Sequence, residues 1–175
     1  KCGIGAFMPT IADARELAQI MVDIGSNLGK KVTALISDMN QPLGNAVGNA
    51  LEVQEAIATM HGNGPADFVE HCLVIAGHML RLAGKSTATD LSDILPTLQT
   101  RLNDGTAWEV FRRLVQAQGG DVSEVDRPEN LPKAPVQKEV RSIRSGILSS
   151  INAREIGLTA VDLGAGRIKK EDSID

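Results

Sequence analysis

Cysteine is nearly absent: two residues in 175, Cys2 and Cys72, far apart and without a Cys-x-x-Cys pair or Cys/His ligand spacing. That argues against a zinc site and fits a reducing cytoplasm. No apolar run approaches the ~18 residues that a membrane span requires, so no membrane partner is expected. Basic charge is not in excess either. Eighteen Lys and Arg are scattered among 22 Asp and Glu, giving a net charge of −4, and a nucleic-acid surface is not expected. No signal-like segment suggests secretion, and the expected location is the cytoplasm. There are no internal repeats or low-complexity tracts. Gly3-Ile4-Gly5 lacks the Gly-x-Gly-x-x-Gly and Walker patterns, so it is no phosphate loop. Ser37-Asp38 has no His at a helpful position, which leaves no triad. His71 and His78 are seven apart, about 10 Å along a helix at roughly 1.5 Å per residue. That is too far for shared ligation, and helix packing or solvent contact accounts for them.

What is present is a site-forming loop. Val32 to Ile36 is an apolar run suited to a buried strand; Pro42, Gly44 and Gly48 then break regularity, and Asn49 begins a helical pattern. Such loops build sites in α/β folds. The irregular backbone offers carbonyl oxygens beside Glu52 and Glu55, which are the ligands a hard cation takes. The competing reading of Glu55 is electrostatic support of the helix start.

Periodicity sets out the rest. Thr10 with Asp13 resembles a capping arrangement, after which Leu17, Ile20, Met21, Ile24 and Leu28 share one helical face. Helices are expected at about Asn49 to Met60 and Phe68 to Leu82, separated by His61-Gly62-Asn63-Gly64-Pro65. Leu91 to Leu102 keeps a helical pattern in which Pro96 marks a kink or a boundary. Trp108, Phe111, Leu114 and Val115 define a further apolar face ending at Gly119-Gly120. Asp121 to Pro135 reads as a connecting loop. Beyond it, Val136 to Ile143 and Gly146 to Ile151 are β-like, Ala153 to Gly157 forms one helical turn, and Thr159 to Leu163 returns to strand. Lys169-Lys170-Glu171-Asp172 reads as a surface turn. The expected fold is α/β, a mixed-sheet α/β domain (1–133) followed by a small α+β module (134–175).

Several blocks together resemble the pyrimidine-nucleoside phosphorylase and thymidine phosphorylase family. They are Lys1-Cys2-Gly3-Ile4-Gly5-Ala6-Phe7-Met8, Asp38-Met39-Asn40-Gln41-Pro42-Leu43-Gly44, Gly48-Asn49-Ala50-Leu51-Glu52-Val53, Gly62-Asn63-Gly64-Pro65, Ala117-Gln118-Gly119-Gly120-Asp121, Leu131-Pro132-Lys133-Ala134 and Leu163-Gly164-Ala165-Gly166-Arg167. The Gly-Asn-Gly-Pro run and the Leu-Gly-Ala-Gly-Arg ending look more like the broad-specificity pyrimidine enzymes than the thymidine-restricted ones. Measured against the family, the chain resembles an interior piece: the second half of the nucleotide-binding domain and the opening of the C-terminal domain.

The resemblance implies a pentosyltransferase that reversibly phosphorolyses uridine, thymidine or deoxyuridine to a pyrimidine base and (deoxy)ribose 1-phosphate in nucleoside salvage. It implies a homodimer, pyrimidine nucleoside and phosphate as partners, and no organic cofactor. The groups that grip phosphate and base are expected upstream of Lys1, so no catalytic residue is assigned and these residues alone are expected to be inactive. The resemblance also implies a potassium ion held by the carbonyls of Leu43 and Ala46 and the carboxylate of Glu55. Carbonyls replace the hydration shell of potassium, and one carboxylate offsets its charge. Phe7 and Met8 border the pyrimidine pocket in the family; the alternative is that they pack in the core. Lys1 lies near substrate or is solvated. The competing functions are an inactive piece with structural and cation-binding roles, a thymidine-restricted phosphorylase, or a related phosphoribosyltransferase. The stretch from Leu131-Pro132-Lys133-Ala134 to Gly166-Arg167 speaks against the last.

Overall fold

The structure, a computed structural model, describes residues 1–166. Arg167 and the Lys169–Asp172 turn expected from sequence lie outside them. The described residues form helices α1 (Ile11–Asn27), α2 (Asn49–Met60), α3 (Ala66–Leu82), α4 (Leu95–Asn103), α5 (Thr106–Ala117), α6 (Val122–Asp126) and α7 (Ala153–Ala160). Short 3-10 turns occupy Leu91–Asp93 and Pro128–Asn130, and a π turn follows α7 at Val161–Ala165.

Local chemistry explains most of the boundaries. Thr10 is extended, and its Oγ1 accepts the Asp13 N–H at 3.2 Å while donating to the Asp13 carboxylate at 2.6 Å, which satisfies an orphan amide of α1. Pro96 falls in the first turn of α4, where its missing N–H costs nothing, so it marks a boundary and not a kink. Asp121 caps α6 by accepting from Ser123 N–H at 2.8 Å, placing a helix inside the stretch expected to be loop. α5 is joined to α6 by a fork: Arg112 Nε and Nη2 donate to the Asp126 carboxylate at 2.7 and 2.9 Å.

The packed centre lies where α4 meets α3 and α5 and α2 reaches both α4 and α5. Ile57 of α2 is 3% exposed, with Ile94 and Val125 buried nearby in the sequence of elements. Fully burying a side chain of this kind stabilises by about 1.5–3 kcal/mol. Thr59 is the buried polar residue, and its Oγ1 donates to the Glu55 carbonyl at 2.7 Å. Trp108 of α5 lies between Phe111 and His61, with ring centroids 5.9 and 4.8 Å away.

The α/β expectation is overturned. Among the described residues there is no sheet, only isolated parallel bridges from Cys2 to Met8 and to Asp38. Val32 to Ile36 has no regular secondary structure, and among the described residues no backbone hydrogen bond joins it to another segment; a strand without a neighbour has no ladder. The expected α+β module fails for a related reason. Among the described residues, Val136 to Ile143 and Gly146 to Ile151 pair with no other segment, and Val140 is 90% exposed. Thr159 to Leu163 is the end of α7 and the π turn, not a strand. Asn152 caps α7 by accepting from Arg154 and Glu155 N–H, and Thr159 Oγ1 donates back to the Glu155 carbonyl at 2.8 Å. The α1 face of Leu17, Ile20, Met21, Ile24 and Leu28 is helical as expected, but its side chains are exposed.

Candidate functional site

The loop between Ser37 and α2 is tied at both ends. Asp38 Oδ1 accepts from Asn40 N and Nδ2 at 3.1 and 2.6 Å, an Asx turn. Asn40 in turn accepts from two distant segments: its Oδ1 from Ile4 N–H and its carbonyl from Ala153 N–H, each at 3.1 Å. Gly3 lies so close that a Cβ there would sit 2.7 Å from Asn40 N.

The next five residues carry the chemistry. Gly44 has φ +73°, and a Cβ on it would strike the Glu55 carboxylate. Its N–H donates to Asp67 Oδ2 at 3.1 Å. The N–H groups of Asn45 and Ala46 both donate to Glu55 Oε1 at 3.0 Å, and Gly48 N–H donates to Glu52 Oε1 at 3.1 Å. Amides of this kind gathered in a glycine-rich loop usually make an anion seat. Here α2 and α3 supply the anions themselves, so a phosphate has no free amide to find at these positions. The loop's backbone carbonyls remain as oxygen donors, and the carboxylates of Glu52, Glu55 and Asp67 stand against it. That donor set suits a hard cation. Glu55 takes loop amides and not those of the first turn of α2; Glu52 serves the helix start.

Leu43, Ala46 and Glu55 come together around one cavity of about 750 Å³, closed by Phe111 of α5 and by Ala153 and Ile156 of α7. A second cavity of about 340 Å³ lies across the loop, bordered by Asp38, Asp67, Glu70 and His71. Lys1, Pro42 and Leu43 border both and form the partition.

The other sequence candidates are placed less favourably. Phe7 is 99% exposed, which removes the core reading for it, and Met8 is half-buried. Neither borders the two cavities around the loop. His71 and His78 both lie on α3, and only His71 reaches the smaller cavity. Among the described residues, no three His, Cys, Asp or Glu side chains are gathered as a metal site. Asp67 was missed in sequence. The available signal was a first-turn acid beside a loop whose amides need acceptors.

The family described as pyrimidine nucleoside phosphorylase C-terminal domain matches residues 147–175. A pyrimidine-nucleoside phosphorylase of Geobacillus stearothermophilus is 49% identical over 175 residues, 100% of this chain and 40% of the relative. Those of Staphylococcus aureus strains USA300 and NCTC 8325 are 47% identical over the same 175 residues and share. The chain thus spans about 40% of the length of the curated relatives it matches.

Proposed function

We propose, for a chain homologous over its whole length to pyrimidine-nucleoside phosphorylases, that it is the cation-binding part of such an enzyme. The reaction is reversible phosphorolysis of uridine, thymidine or deoxyuridine to a pyrimidine base and (deoxy)ribose 1-phosphate, a pentosyl transfer. The observation that carries the reading is 49% identity across all 175 residues. The amide-saturated loop supports it, because it offers oxygen donors and no phosphate seat at Gly44 to Ala46.

In this reading Leu43 and Ala46 carbonyls and the Glu55 carboxylate hold potassium, and Phe7 and Met8 line the pyrimidine pocket. When bound, potassium supplies a fixed positive charge beside the loop. The groups that grip phosphate and base belong to the portion of the relatives that this chain does not span. The proposed division at residues 133 and 134 sets a helical part apart from a C-terminal module, within which the family match at 147–175 falls. A cytoplasmic homodimer acting in salvage completes the proposal.

The test is phosphate-dependent cleavage of uridine and thymidine by the full-length protein, with potassium or choline as the cation. Cleavage of both nucleosides, enhanced by potassium, is the expected result. Cleavage of thymidine alone would replace the broad-specificity reading with the thymidine-restricted one. No cleavage of either would leave a structural and cation-binding role.

A further inference from the structure

We infer that Asp67, a residue outside the proposed ligand set, is the positioning residue that aims the Leu43 carbonyl at the cation. This rests on the potassium reading above and deepens it. Leu43 C=O and Gly44 N–H belong to one planar unit, and in a trans peptide they point in opposite directions. Whatever holds the Gly44 N–H therefore fixes the direction of the Leu43 oxygen. That partner is Asp67 Oδ2 at 3.1 Å, reaching across from α3.

The placement of Asp67 is telling. It sits in the first turn of α3, behind Pro65, in a helix start that has no side-chain cap. A first-turn aspartate ordinarily serves its own helix. Here its carboxylate reaches the loop instead. Glu55 orients the next two peptide units in the same way, through Asn45 and Ala46 N–H. The two acids thus set three successive peptide planes, and only Asp67 sets the plane that carries a proposed ligand oxygen. Outer partners of this type orient the ligands and change metal affinity by about 10–100-fold when removed.

The test uses the full-length protein and two readouts: the potassium dissociation constant from competition with thallium-205 observed by NMR, and the melting temperature in potassium chloride against choline chloride. Asp67→Ala should weaken potassium binding about 10-fold or more. Asp67→Asn keeps an oxygen for the Gly44 N–H and should recover most of that loss. Glu55→Gln should abolish potassium-specific binding. A mere helix-start role for Asp67 would lower the melting temperature equally in both salts and leave the dissociation constant unchanged; that result, with Glu55→Gln still defective, overturns the positioning role alone. Absence of potassium-specific binding in the unaltered protein overturns the potassium reading and this inference with it.

Discussion

A single methyl group at Gly44 would disturb the candidate site. The residue has φ +73°, which side-chain-bearing residues adopt with strain, and a Cβ would displace the Glu55 carboxylate from its two loop amides. Gly44→Ala is expected to destabilise by at least about 1 kcal/mol and to remove the gain in melting temperature that potassium chloride gives over choline chloride. A thermal melt in both salts checks this; an unchanged gain would show that Glu55 does not anchor the cation. At this scale the family likeness singles out Leu43, Ala46 and Glu55, and the three border one cavity. Asp67 carried only the general signal of a first-turn acid, with nothing to pair it with Gly44. Its bond to Gly44 spans 23 residues and depends on how α3 stands against the loop, which no local spacing encodes.

Helices with local punctuation were readable, and extended segments were not. α2 runs from Asn49 to Met60 as its pattern requires, because Gly48 and the His61–Pro65 turn bracket it. A helix makes its own hydrogen bonds, so its signals are local. A strand borrows its bonds from elsewhere, which is why Val32 to Ile36 and Val136 to Ile143 looked like strands and are not. The α5–α6 junction yields a pH prediction. The Arg112 guanidinium hydrogen-bonded to Asp126 holds its carboxyl below the ordinary 3.8, and Asp126 in turn raises Arg112. A carboxylate depressed in the folded state stabilises fully above its unfolded value, and that contribution fades as pH falls through the folded one. The melting temperature of Asp126→Asn should therefore lie below that of the unaltered protein at neutral pH. The gap should close in acid, below the ordinary 3.8. A gap independent of pH would show that the fork acts only through packing.

At the scale of the whole molecule, the dominant fact is uncovered apolar surface. Leu28 at the end of the α1 face is 71% exposed, and Ile143 and Ile147 stand fully in the open. Surfaces of this extent bind partners or aggregate. The 175-residue chain is expected to bind the dye ANS and to associate at micromolar concentration. A monomeric chain that leaves the dye dark would mean that these faces are covered in solution. The fold class was misread at this same level: periodicity showed correctly which face of α1 is apolar, but not what lies against it. Length and hydrophobic content, 42% of residues, suit a packed domain, yet only a small set of side chains is buried.

The two hydrogen bonds that meet at Asn40 set an order of assembly. The clamps on Asn45, Ala46 and Gly44 close short loops, spanning 10, 9 and 23 residues. The bond from Ala153 to the Asn40 carbonyl waits until nearly the whole described chain has been made. Closing a longer loop costs more entropy, and distant contacts form late. On the ribosome, the carboxylate-clamped turn would thus take shape, as a local unit, before the cavity wall contributed by α7 arrives. The nascent chain passes through a stage in which the turn is folded but its cavity has no lid.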